Sequence, residues 1–152
     1  MTLTTKTRRI VAGAIAAAAL PVAAIAGAGS AQATTRAGCT INPLTPIYAY
    51  TNAAGVKVID FRISVNCAPN RHAHINQRVY EADTWPNPDD LIVTRNFVAG
   101  GVTTLHTYVP LPNTEAGSEE VYQRVKFWVH ANNGAMSAPT AWQNSAVRTY
   151  AN

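Results

Sequence analysis

Half of the eight acidic residues in this chain, Glu81, Asp83, Asp89 and Asp90, stand around one turn, Trp85-Pro86-Asn87-Pro88. Carboxylates this close suggest two chemistries. Calcium takes several oxygen ligands from a flexible loop, and the four acids with Asn87 would supply them. The spacing is not that of an EF-hand, because Trp85 stands at the third position and neither a central glycine nor a closing glutamate follows. Glycoside hydrolysis needs two carboxylates at a set separation, and Glu81 with Asp83 or Asp89 is the available pair. One turn in a small domain rarely builds that geometry. Aspartate beside proline and asparagine also caps and solvates a turn with no further role. The stretch is therefore read as a turn, with a calcium site or a small secreted hydrolase as the alternatives.

Two other groupings carry chemistry. His72 and His74 share a face if they lie on a strand. They would bind zinc or copper if His106 or His130 supplied a third ligand, and otherwise they are exposed histidines at a strand start. Tyr122, Arg124, Lys126, Trp128 and His130 alternate along one strand, and His74, Arg78 and Tyr80 are expected beside them. Tryptophan, tyrosine and arginine dominate interface hot spots. Tyr80, Trp85, Tyr122, Arg124 and Trp128 are thus the binding-surface candidates, for a protein or a cell-wall carbohydrate. The competing reading is a sheet face whose rings pack on Arg and Lys stems. The chain has no Gly-x-Ser-x-Gly, no His-Glu-x-x-His and no phosphate-binding glycine loop. No catalytic residue is assigned, and no cofactor is expected unless calcium binds the turn.

The elements that must position these groups are strands. Residues 58–67 alternate strictly, with Ile59, Phe61, Ile63, Val65 and Cys67 on a buried face and Asp60, Arg62, Ser64 and Asn66 on a wet one. Residues 119–131 repeat the pattern, with Val121, Val125, Phe127 and Val129 inside. Further strands are expected at 72–81, 91–98, 102–109 and 140–150. Residues 41–50 carry Pro43 and Pro46, so they form an edge or irregular strand, and 34–38 are a polar lead-in. Turns fall at Asn52-Ala53-Ala54-Gly55, at 68–71 and at Asn132-Asn133-Gly134, while Gly100-Gly101 between β-branched runs signals a hairpin. No segment keeps a helical period. About seven strands with turns every 8–12 residues indicate an antiparallel two-sheet sandwich, with a small closed barrel as the alternative.

The run Tyr122-Gln-Arg-Val-Lys-Phe-Trp-Val-His-Ala-Asn-Asn-Gly-Ala-Met-Ser137 resembles the penultimate strand and following turn of fibronectin type III and related immunoglobulin-like domains. The N-terminal half differs, lacking the early tryptophan of a fibronectin module and adding Cys39 and Cys67. The resemblance implies a binding or spacer module more often than a catalyst.

Residues 1–33 read as a cleaved secretory signal. Lys6, Arg8 and Arg9 precede an apolar run, and Ala31-Gln32-Ala33 offers small residues for cleavage after Ala33, with Ala26-Gly27-Ala28 as the alternative. The run is rich in Ala and Gly and contains Pro21, which disfavours a stable membrane anchor. Ile10-Val11-Ala12 after the arginine pair fits a twin-arginine signal poorly, so the general secretory route is expected. Residues 34–152 then form one exported, monomeric domain. Of the 12 basic side chains three leave with the signal, so 12 − 3 = 9 remain against 8 acidic ones. That near-neutral balance argues against nucleic acid as a partner. Cys39 and Cys67 are the chain's only cysteines, and an exported pair is expected to form a disulfide. The loop of about 27 residues that it closes corresponds to roughly 3 kcal/mol.

Overall fold

Period-two alternation builds the centre of each of two sheets. The computed structural model describes residues 32–83, 87–111 and 118–151. Ten strands form there: β1 (Thr34–Arg36), β2 (Cys39–Pro43), β3 (Ile47–Thr51), β4 (Lys57–Cys67), β5 (Arg71–Glu81), β6 (Asp90–Gly100), β7 (Val102–Leu111), β8 (Glu119–Ala131), β9 (Gln143–Asn144) and β10 (Arg148–Tyr150). Residues 1–31 of the expected signal and the contact candidate Trp85 lie outside the described residues.

In one sheet β4 is central, with β7 along one edge and β2 and β3 end to end along the other. In the second, β5 and β8 form the centre, β6 flanks β5, and β9 and β10 lie in line beside β8. Every pairing is antiparallel. The chain changes sheet between β4 and β5, between β6 and β7, and between β7 and β8, which makes an immunoglobulin-like sandwich. Seven strand paths were expected and are present. The count reaches ten because two edge paths are interrupted and β1 is added. Pro43 ends β2 and Pro46 lies in the gap before β3, where a missing N–H cannot join a ladder.

Two sequence expectations are corrected. Gly100 and Gly101 do not close a hairpin: β6 pairs with β5 and β7 with β4, so the glycines carry the chain from one sheet to the other. A Cβ on Gly100 would stand 2.9 Å from the Arg71 carbonyl oxygen, and Gly101 has φ of 63°, so both positions favour glycine. The lead-in is also ordered. Residues 34–36 fold back on β2 as β1, through Ala37 and Gly38 at φ of 45° and 82°.

The expected disulfide joins Cys39 and Cys67, which stand directly opposite each other on β2 and β4 and face the core. The core has two apolar clusters. One holds Ile41, Ile63, Val65, Ile75, Val125, Phe127 and Val129 with the disulfide, and the other holds Ile59, Phe61, Val79, Val109, Leu111 and Val121. Between them lies a polar layer. Gln77 and Gln123, both 0% exposed, face inward from β5 and β8. Gln77 Nε2 donates to Gln123 Oε1 at 2.6 Å, and Thr107 Oγ1 donates to Gln77 Oε1 at 2.7 Å. Gln123 Nε2 donates across to the carbonyls of Leu44 (2.7 Å) and Arg62 (2.8 Å) in the other sheet.

Candidate functional site

Register decides which side chains share the outer face of the second sheet. β5 and β8 pair His72 with His130, His74 with Trp128, Asn76 with Lys126, Arg78 with Arg124, and Tyr80 with Tyr122. Their inward neighbours Ala73, Ile75, Gln77 and Val79, and Val121, Gln123, Val125, Phe127 and Val129, are buried, so these five rows point outward. The sequence-derived candidates Tyr80, Tyr122, Arg124 and Trp128 therefore meet on one face. Tyr80 stacks on Tyr122 at 5.3 Å between centroids, and His74 on Trp128 at 5.2 Å.

Sequence reasoning placed Trp142 on the last strand and gave it no role. Its indole lies against three cations: the Arg78 guanidinium and the Lys126 ammonium at 4.9 Å from the ring centroid, and the Arg124 guanidinium at 5.8 Å. Arg124 also sits 6.0 Å from the Tyr80 ring. The segment carrying Trp142 follows β8 with only a short regular ladder, because hydroxyls take the place of carbonyls along that edge. The amides of Gln123, Phe127 and Val129 donate to Ser145 Oγ, Thr140 Oγ1 and Ser137 Oγ. The amides of Ser145, Thr140 and Ser137 donate back to the carbonyls of the same three residues. Trp142 is thus held between two such clamps, at Thr140 and Ser145. A serine and threonine rhythm opposite a strong strand is a signal that could have located this edge.

The acidic stretch closes one end of the face. Tyr122 donates to Asp89 Oδ2 at 2.5 Å, and the Asp83 amide donates to Asp89 Oδ1 at 3.3 Å. Register adds two more acids to that end, since Glu81 pairs with Val121 next to Glu119 and Glu120, and the Ala82 amide donates to the Glu120 carbonyl. Asp90 lies opposite Glu81 on β6. Among the described residues no group of three or more His, Cys, Asp or Glu side chains is arranged to hold a metal ion. Of the two histidines offered as a third partner, only His130 shares this face. His130 joins His72 and His74, with its ring 6.0 Å from that of His74, whereas His106 lies on β7 in the other sheet.

On that other sheet Asp60, expected on the wet face, is only 5% exposed. Its Oδ2 accepts from His106 Nδ1 at 2.8 Å, and His106 stacks on Tyr108. Outward residues at the centre of a sheet are covered by large neighbours on flanking strands, here Tyr108 on β7 and Ile47 on β3, both paired with Asp60. A buried carboxylate fixes the tautomer of its imidazole. No serine or threonine hydroxyl among the described residues bonds His106.

Burial, then the bond to Asp89 and the charge of that carboxylate, push the Tyr122 hydroxyl well above the ordinary tyrosine range. Burial also raises that of Tyr150, whose hydroxyl donates to the Pro46 carbonyl. In the unfolded chain both ionise near pH 10. Above that pH unfolding releases protons, so stability falls as pH rises. Thermal melts from pH 8 to 11 are expected to show this decline, and a Tyr122→Phe variant is expected to decline less steeply. At neutral pH that variant loses about 1–2 kcal/mol with its charge-assisted bond. Equal slopes for the two proteins would contradict the assignment.

No protein-family model matches the chain, and no curated protein matches it in sequence.

Proposed function

We propose that this protein is a small secreted, non-enzymatic binding module that engages its target through the outer face of the β6–β5–β8–β9/β10 sheet. The carrying observation is the gathering of Tyr80, Trp128 and Trp142 with Arg78, Arg124 and Lys126 on one side of a disulfide-braced sandwich, where Tyr122, only 8% exposed, backs the Tyr80 ring. Rigid strands pre-organise these side chains, so little conformational entropy is lost when a partner docks. Export fits the disulfide, and among the described residues no helix is long and apolar enough to cross a membrane. The target belongs to the extracellular space: a cell-wall component, a host or competitor protein, or a protease. Trp85 beside its proline turn is a second contact point of the same reading.

The test is capture by the immobilised protein from culture supernatant and cell-wall extract. The wild type is expected to retain a discrete partner, and a Tyr80→Ala/Trp128→Ala double variant to bind it at least tenfold more weakly. Such a loss is typical of hot-spot truncation. Retention of every partner by the double variant, with its melting curve unchanged, would remove this face as the contact surface.

A further inference from the structure

We propose that Arg78, Arg124 and Lys126, gathered around Trp142, form a socket for one carboxylate side chain of an acidic partner protein. The inference rests on the reading of this face as the contact surface and names what it recognises.

Electrostatics carries the first step. Arg78 and Arg124 stand directly opposite each other on adjacent strands, with Lys126 one outward position along from Arg124. Like charges directly opposed across a sheet are destabilising. No salt bridge joins any of the three to a carboxylate among the described residues. The Nε atoms of Arg78 and Arg124 are buried without a hydrogen-bond partner. The indole of Trp142 attracts all three cations but neutralises none of them. The fold therefore gathers three positive groups around one indole ring, itself fixed by the Thr140 and Ser145 clamps. An anion held by the outward N–H groups of these side chains relieves the repulsion, and arginine forks suit the two oxygens of a carboxylate.

The surroundings decide what kind of molecule brings the anion. Arg124 and Lys126 are separated by one same-face step, roughly 7 Å. Towards the start of β8 the cations give way to the Tyr80–Tyr122 pair, which is bonded to the Asp89 carboxylate. A polyanion lying along the strand would meet that charge, and residues 34–152 carry 9 basic against 8 acidic side chains, too even a balance to draw one in. Sugars stack on broad, open ring faces. Here each ring of the two stacked pairs gives one face to its neighbour, at interplanar angles of 14° and 8°, and the pairs stand edge-out. Ring edges, hydroxyls and N–H groups around a point charge suit a protein surface that places one glutamate or aspartate among apolar side chains.

The test uses the folded full-length secreted chain and follows tryptophan fluorescence and indole N–H signals. The probes are a blocked Phe-Glu-Phe tripeptide, its Phe-Gln-Phe counterpart and a hexamer of uronic acid. The glutamate peptide is expected to bind at least tenfold more tightly than the glutamine peptide and more tightly than the uronate. That preference is expected to vanish in an Arg124→Gln/Lys126→Gln variant and to change less than twofold in Arg95→Gln, which removes an exposed cation from β6. Equal binding of the two peptides, no response to either, tighter binding of the uronate, or an undiminished preference in the double variant would each overturn the socket. Loss of folding in the double variant is read from its melting curve, and Lys126→Gln alone then serves in its place. If the peptides fail while partner capture still depends on Tyr80 and Trp128, the socket falls and the contact face stands. If capture fails as well, the face falls with it.

Discussion

Replacing Cys39 and Cys67 together with alanine is expected to lower the unfolding free energy by about 3–4 kcal/mol, most of it through the unfolded state. The bond spans a sequence separation of 28, and cutting a loop of that size frees the unfolded chain to explore many more conformations. A smaller part comes from the folded state. Both residues belong to the larger apolar cluster, so two sulfurs leave the core. The location also matters. The interrupted edge β2/β3 is held to β4 by hydrogen bonds and by this one covalent link, and the only strand with which β1 pairs among the described residues is β2. Urea unfolding should show the midpoint falling and the slope rising, because the unlinked unfolded chain exposes more surface, and hydrogen exchange should show the amides of β2 opening before those of β5 and β8. A loss below about 1 kcal/mol would mean that the loop is already ordered in the unfolded chain. The outer face of the other sheet contains neither cysteine, so capture through Tyr80 and Trp128 is expected to survive in the folded fraction.

Different residues made different parts of this molecule legible. Strands β4 and β8 could be read from the sequence because strict alternation leaves only one face to bury. The inward disulfide followed, since Cys67 falls on the buried phase of β4. Gly100-Gly101 misled because two glycines permit either a tight hairpin or a crossing between sheets. The choice depends on which strand edge is open, and β4 offered one to β7. Asp60 keeps the wet phase yet is buried, because coverage by Ile47 and Tyr108 on flanking strands is a tertiary property. Within the candidate site, Tyr80, Tyr122, Arg124 and Trp128 were visible from alternation alone. Trp142 was not, since the segment around it follows β8 through serine and threonine hydroxyls and shows no period. The acids at 81–90 drew attention by number. In the structure Asp89 anchors the turn to Tyr122.

The glutamines were also present in the pattern, because Gln77 and Gln123 occupy the buried phase of their strands, and a polar side chain there must find partners. A Gln123→Leu variant is expected to cost about 3–5 kcal/mol. Leucine restores apolar volume, but it removes the acceptor of Gln77 Nε2 and the donor to Leu44 O and Arg62 O. The Arg62 carbonyl keeps the Leu44 amide, whereas Gln77 Nε2 is left with only a 3.4 Å contact to Phe61 O. Each buried group left without a good partner costs about 1–3 kcal/mol. Adding Gln77→Leu is expected to cost less than the sum of the two single changes, since the amide stranded by the first leaves with the second. A double-mutant cycle should therefore return a coupling of about 1–3 kcal/mol, and strict additivity would show that the two amides act independently. The effect reaches the candidate face because Arg78 and Arg124 directly follow Gln77 and Gln123 in the chain and point the opposite way. A one-residue slip of β8 against β5 would carry Arg124 into the core and Gln123 out beside Trp142. The inward glutamines, tied across to Leu44, Arg62 and Thr107, oppose that slip and so hold the cations in register on the outer surface.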